Sequence, residues 1–353
     1  MAQGENFEAS ASTAPTEVAS FDTRDKGVID RFQHLLHTTP ALVPLIVLLV
    51  SVIIFGLALG SKFFSPFALT LILQQVQIVG IVAVAQSLVV LTAGIDLSVG
   101  AIAVISSVVM GQFTFRYGIP VEIAVICGLL TGTAIGYANG WLVAVMKLPP
   151  FIVTLGMWQI VLAANFLYSA NETIRSQEIA EQAPLLQIMG AKFSVGGAIF
   201  TFGVVVMLAL VLALAYVLRH TAWGRHVYAV GDDPEAAELS GVNVRSTLIS
   251  VYALAGLICA IAGWALIGRI GSVSPTSGQL LNIESITAVV IGGISLFGGR
   301  GSILGTFFGA LIVGVFTLGL RLAGADAQWT YLLIGALIIG AVAVDQWIRK
   351  VAA

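Results

Sequence analysis

The sequence predicts an all-α polytopic membrane protein of about ten transmembrane helices with broken or re-entrant segments. Of its 353 residues, 58% are hydrophobic and only 10% charged, against roughly 25% charged in an ordinary soluble domain. Mean hydropathy is +1.00. Apolar runs close to the ~20 residues needed to cross a hydrocarbon core recur along the chain. Spans are expected near 41–60, 70–91, 97–115, 120–146, 150–169, 196–218, 247–268, 281–297, 302–321 and 328–347.

Residues 1–38 are polar, rich in Ser, Thr and Ala, and weakly acidic. They are too poor in apolar groups to fold alone and are expected to form a flexible cytoplasmic tail ahead of a membrane domain over 39–350. No basic start followed by a short apolar core and a small-residue cleavage site precedes residue 40, so no cleaved signal is expected. Short loops rich in Lys and Arg stay cytoplasmic. With the amino terminus inside, the inner set is Arg24, Lys26, Arg31, Lys147, Arg219, Arg225, Arg245, Arg300, Arg349 and Lys350, and the outer set is Lys62, Arg116, Arg175, Lys192, Arg269 and Arg321. The bias favours cytoplasmic termini at both ends.

A net charge of -2 without a basic cluster excludes nucleic acid as a partner. Cys127 and Cys259 fall inside apolar runs and read as small hydrophobes, whereas His34, His37, His220 and His226 lie outside the spans. No metal site and no catalytic residue is expected.

The stretch LTAGIDLSVG (91–100) places Asp96 between two apolar runs. A charge at the centre of a membrane helix costs roughly 2.5 to 3.5 kcal/mol on insertion scales. A break at Gly94 with Asp96 as N-cap of the next helix, bonded to N–H groups near Ser98 and Val99, avoids that cost. A role in a substrate path or a partner contact are the alternatives. GIDLSVG (94–100) also aligns with GISLFGG (293–299), with Ser295 where Asp96 sits, which suggests a second break capped in the same way.

Two hydrophilic segments are long enough to have a function. Residues 170–195, outside, mix charged and apolar residues and should form a small cap or short helices. Residues 219–246, inside, contain GDDPEAAELSG. Asp233 suits an N-cap, Pro234 the first helical position, Glu235 the positive end of the helix dipole, and Gly241 a left-handed stop. A two-turn helix over 234–240 follows, with a small face at Ala236 and Ala237 fit for another protein's groove. A plain connector helix is the alternative.

GRHVYAVGDDPEAAELSGV resembles the cytoplasmic coupling loop of permease subunits of ATP-binding-cassette importers, in the ribose/xylose/fructose group. Gly224, Arg225, Ala229, Gly231, Ala236, Ala237, Ser240 and Gly241 match that family's pattern. LTAGIDLSVGAI, LPPFIVTLG (148–156) and IGGISLFGGRGSILGTFFGALIVG (291–314) resemble further family motifs in the same order. The chain departs midway along the fifth span, where many members carry Arg-Gly and this one has Leu162 and Ala163.

The resemblance implies a permease in the bacterial inner membrane that binds no cofactor. ATP is then used by a separate ATPase subunit, docked on Gly224, Arg225, Gly231, Asp233, Pro234, Glu235, Ala236, Ala237, Glu238 and Gly241. It also implies a periplasmic sugar-binding protein, a second permease copy as a homodimer, and a monosaccharide cargo, fructose first and ribose, xylose or mannose as alternatives. Branched-chain amino acid or nucleoside import, or an ion-coupled sugar carrier, are the competing readings. No GxxxxGK[ST] loop occurs, so ATP hydrolysis must come from another chain.

Polar side chains inside spans are candidates for the translocation path: Gln74, Gln75, Gln77, Gln86, Asn139, Thr154, Gln159, Asn165, Glu284 and Thr287. Gln86, Asn165 and Glu284 sit deepest. Helix-to-helix hydrogen bonding is the alternative for each. Arg300 could pair with Asp96, Glu284 or a lipid phosphate. Trp141, Trp158, Trp223, Trp329 and Trp347 lie mostly near span ends and read as an interfacial belt, not as sugar-stacking surfaces.

Overall fold

A computed structural model describes residues 41–352, with side chains left out at Ala327 and 344–352. The expected tail, with Arg24, Lys26, Arg31, His34 and His37, falls outside the described residues, as do the side chains of Trp347, Arg349 and Lys350.

The described chain runs α1 (Leu42–Leu59), α2 (Pro66–Leu91), α3 (Val99–Phe115), α4 (Val121–Ala144), α5 (Pro150–Ser169), α6 (Ser176–Gln182), β1 (Lys192–Val195), β2 (Ala198–Thr201), α7 (Phe202–His220), α8 (Ala222–Asp232), α9 (Pro234–Leu239), α10 (Val244–Ile270), α11 (Leu281–Ile291), α12 (Ile303–Leu322) and α13 (Ala327–Ala352). Seven of these helices are long and apolar enough to cross a membrane: α1, α2, α4, α5, α7, α10 and α12. Shorter apolar helices occupy Val99–Phe115, Leu281–Ile291 and Gln328–Ala343. All ten expected apolar segments are helical, and the protein is multi-pass.

Three boundaries depart from the expectation. The helix expected over 281–297 stops at Ile291 after 11 residues, about 16 Å at 1.5 Å per residue and so roughly half a span. Gly293, at φ 77°, turns the chain out of the helix there. The span expected over 196–218 begins only at Phe202, because Gly196 and Gly197, at φ 58° and 83°, form the two-residue turn of the β1–β2 hairpin. Two consecutive positive φ values suit a tight hairpin turn. Finally, α3 starts at Val99 and spans 17 residues, which leaves 92–98 non-helical.

Helix α2 is the axis of the fold. From Val76 to Leu91 every side chain is buried, as expected of a helix apolar all round. It packs against α7, α10, α11 and α12. Helix α10 packs along α4 on a stripe of glycines, Gly132, Gly136 and Gly140, spaced four apart so that they share one face. A Cβ at Gly136 would collide with Tyr252 O and lie 3.0 Å from Gly256 Cα, so this backbone approach requires glycine.

Residues 170–201 form the cap, a short helix, a 3-10 turn (Pro184–Gly190) and the hairpin. Gln187 Nε2 donates to Gly271 O (2.7 Å), Trp264 Nε1 to Leu185 O (3.2 Å) and Ile199 N–H to Thr70 Oγ1 (2.8 Å). Thr201 Oγ1 donates to Gln77 Oε1. Gln77, fully buried, thus fastens the hairpin.

Gly136→Leu is expected to lower the thermal midpoint in detergent, at a cost of about 1 to 3 kcal/mol or more. Gly156→Leu, where nothing lies within 4 Å of the added Cβ, should leave it in place.

Candidate functional site

The chain leaves α2 in a left-handed stop. Ala93, at φ 59°, donates to Val90 O (2.9 Å) and Gly94 donates to Val89 O (3.0 Å), the two bonds of a Schellman motif. The chain leaves α11 in the same way, with Gly293 N–H on Val290 O (3.0 Å) and Ile294 N–H on Val289 O (3.2 Å). The internal repeat therefore pairs Ala93 with Gly293 at the helix ends, one residue out of step with the alignment of Asp96 and Ser295.

Asp96 is 1% exposed, and its Oδ1 accepts Ser98 N–H (2.7 Å) and the Ser98 hydroxyl (2.6 Å). Ser295 Oγ accepts Phe297 N–H (3.4 Å), also two residues on. Each is a side-chain-closed turn, and neither residue is the expected N-cap. The cap position of α3 is Ser98, whose side chain makes no capping bond. The cap of α12 is Ser302, whose Oγ accepts Gly305 N–H (3.0 Å). In both loops the chain continues past the polar residue before the helix begins, so the capping geometry falls further along.

Non-helical backbone at membrane depth must find its partners within the protein. Around 95–100 those partners come from four helices. Thr154 Oγ1 of α5 donates to Ile95 O (2.9 Å) and accepts Leu97 N–H (3.1 Å). With its amide oriented to satisfy both groups, Gln86 of α2 donates to Asp96 O (2.9 Å) and accepts Asp96 N–H (3.2 Å). Asn282 Oδ1 of α11 accepts Gly100 N–H (2.9 Å), and Asn139 Nδ2 of α4 donates to Ser98 Oγ (2.9 Å). Arg300 is exposed and is not Asp96's partner.

Beside this loop is a cavity of about 400 Å³ between α3, α5, α11 and the loop before α11. Gly100, Trp158, Asn165, Phe166, Gln279 and Asn282 are among its walls. Of the three deep polar candidates only Asn165 lines it. Gln86 is committed to the Asp96 backbone, and Glu284, half-buried, is not on the wall. Leu162, at the point of departure from the family pattern, is on the wall too. Trp158, read from the sequence as one of the span-end tryptophans, lines the cavity. Trp158, Phe166, Gln279 and Asn282 were missed as path candidates because span position says nothing about which face of α5 or α11 meets α3.

The 219–246 segment forms α8 and α9. Asp233 Oδ1 accepts Glu235 N–H (2.9 Å) and Ala236 N–H (3.0 Å), with Pro234 at the first turn. Gly241, at φ 85°, ends the helix as Gly241 N–H meets Glu238 O (3.0 Å) and Val242 N–H meets Ala237 O (3.0 Å). Helix α9 ends at Leu239, one residue before the expected stop. Arg225, Pro234, Glu235, Ala236 and Glu238 are exposed. Ala237 is not: it is 4% exposed and faces its own chain, so the expected small outward face is not an Ala236–Ala237 pair. Adjacent helical residues point about 100° apart. Leu239, 91% exposed, provides apolar surface on the side of Glu235 and Ala236, three and four residues before it.

Helix α8 backs onto both helix breaks. Gly299 N–H donates to Leu91 O (3.0 Å), and a Cβ on Gly231 would collide with that same carbonyl and lie 2.8 Å from Gly299 N. Tyr228 OH donates to Gly301 O (2.9 Å). Burial pushes the Tyr228 phenol up from its ordinary range, so it remains a donor at neutral pH. Gly224 is buried against Leu218, and Trp223 Nε1 donates to Ser250 Oγ (2.8 Å).

The family profile described as branched-chain amino acid transport system / permease component matches residues 68–342. The chain is 71% identical over 349 residues, 99% of its length and 97% of the relative's, to the fructose import permease protein of Rhizobium meliloti. It is 37% identical to the ribose import permease protein of Escherichia coli K12, covering 85% of this chain and 92% of that one. It is 30% identical to the xylose transport system permease protein of Haemophilus influenzae, covering 87% and 96%. No solved structure matches the chain.

Thr154→Val removes the hydroxyl that serves both Ile95 O and Leu97 N–H. Denaturation in detergent should show a loss of about 1 to 3 kcal/mol, whereas Thr154→Ser should stay near wild type.

Proposed function

The chain belongs to the permease-component family of branched-chain amino acid transport systems, and on that premise we propose that it is the membrane-spanning subunit of an ATP-driven monosaccharide importer. Fructose is the favoured cargo, since the fructose permease shares 71% identity over nearly the whole length. The relatives named for ribose and xylose support a sugar over an amino acid. The subunit transports and does not catalyse. It binds no cofactor, and ATP is hydrolysed by a separate ATPase.

The observation that carries the mechanism is the capped, outward-standing α9 joined directly to α8, which is backed onto the ends of α2 and α11. An ATPase engages Glu235, Ala236, Glu238 and Leu239. Displacement of α9 moves α8, whose Gly231 lies against Leu91 O and the glycine turn after α11. Leu91 leads directly into the Asp96 loop, and Gly100 and Asn282, bonded to each other, are cavity walls. Rigid-body motion at the docking helix thereby reaches the solute path without a flexible link.

In this reading both termini and α9 are cytoplasmic, in a bacterial inner membrane, in keeping with the Lys/Arg bias. A periplasmic binding protein delivers the sugar on the side of the 170–201 cap, and a second copy of the chain completes the path as a homodimer.

Vesicles containing the permease, ATPase and binding protein should take up labelled fructose with proton and sodium gradients collapsed, and stop when ATP or the binding protein is omitted. Uptake driven by an ion gradient alone would overturn the proposal. Leu239→Asp, on an exposed site, should weaken ATPase co-purification by about 2 kcal/mol, at least about tenfold, while the chain still inserts. Unchanged co-purification removes the docking role.

A further inference from the structure

We infer that the cavity between α3, α5 and α11 holds one sugar ring within a single permease chain, with the Trp158 indole as the stacking surface and Asn165 Oδ1 as acceptor for a ring hydroxyl. This rests on the importer reading and adds to it where in the chain the cargo pauses. A volume of about 400 Å³ falls in the range of small-molecule sites. Its walls combine an aromatic plate with a few polar groups. A monosaccharide has the matching chemistry, a C–H face that packs on an aromatic ring and hydroxyls that need both donors and acceptors around the rim.

Asn165 is the second, independent observation. Its Nδ2 donates to Pro275 O (2.8 Å), which fixes the amide orientation. The residue is 1% exposed, yet Oδ1 has no partner. A buried acceptor left unmade is costly and is retained where something else supplies the donor. A sugar hydroxyl in the cavity would do so. Across the cavity the Asn282 Oδ1 is committed to Gly100 N–H, so that amide has Nδ2 as its donor capacity toward a sugar oxygen. The remaining walls are mainly apolar, Leu162 and Phe166 among them, which suits a station that must release its cargo.

The experiment separates reporter from blocker. Permease in nanodiscs is titrated with D-fructose while tryptophan emission is followed, in wild type and in Trp158→Phe to identify the Trp158 signal. Two variants then reduce the cavity and keep Trp158 without adding a tryptophan: Ala101→Phe on the α3 wall and Gln279→Phe on the exposed loop. The second covers the case in which Ala101→Phe does not fold. Wild type should show a saturable change that Trp158→Phe lacks, and the folded cavity variant should lose it. In the assembled transporter that variant should reduce fructose uptake by at least about tenfold, as expected of a filled site, with ATPase stimulation by loaded binding protein retained. No Trp158-dependent change in wild type, or wild-type uptake by the cavity variants, overturns the inference. Absence of ATP-dependent uptake in wild type would instead overturn the importer reading itself.

Discussion

The whole arrangement depends on one constraint: backbone groups that leave a helix inside an apolar medium must be satisfied by the protein itself. Helix α11 stops short and α2 ends in a sharp turn at Leu91, and the chain from there into the first turn of α3 exposes N–H and C=O groups of Ile95, Asp96, Leu97 and Gly100. Each of these bonds is made by a side chain from a different part of the fold, Gln86, Thr154 and Asn282, with Asp96 and Asn139 holding Ser98. Four helices are thereby tied to one seven-residue loop. Asp96 is tolerated because its carboxylate closes this turn, and the polar network it belongs to is shared with the wall of the cavity.

Glycine makes the second connection. Where Gly231, Gly299 and Leu91 O meet, no Cβ fits, so α8 rests on backbone and not on side chains. Side chains can absorb a displacement by changing rotamer, whereas close-packed backbone passes it on. The same close backbone packing occurs at Gly136 and Gly256, where α4 and α10 meet. The capped helix α9, a glycine joint and a loop clamped from four sides form a continuous run of packed elements from the exposed Leu239 to Asn282.

Much of this was legible from residues alone. The ten apolar segments, a short helix within 170–195, and the start and stop of α9 at Asp233 and Gly241 follow from local rules, because span length, N-cap chemistry and positive φ are properties of short stretches; the hairpin that carries the segment on to Thr201 does not. The repeat of GIDLSVG and GISLFGG correctly marked two helix breaks. It misplaced their detail by one residue, since identical letters do not fix which residue takes the left-handed turn: Ala93 takes it in the first copy although Gly94 is adjacent. Burial was misjudged at Ala237, because which face of a short helix meets the rest of the chain is set by packing and not by the helix itself.

The order of helices, the polar residues available within the apolar segments and the capped helix α9 were determined by the sequence itself, since hydrophobic length and capping act over a few residues. Which polar side chains close the Asp96 loop, which face a cavity and which face another helix was decided only by tertiary structure. Gln86, Asn165 and Glu284 look alike in the chain; only the packing of α3 against α5 and α11 commits the first to backbone, sets the second on the cavity wall and leaves the third off it. The physical reason is that a hydrogen bond in an apolar medium is satisfied by whichever group lies within about 3 Å, and proximity between helices is not encoded locally.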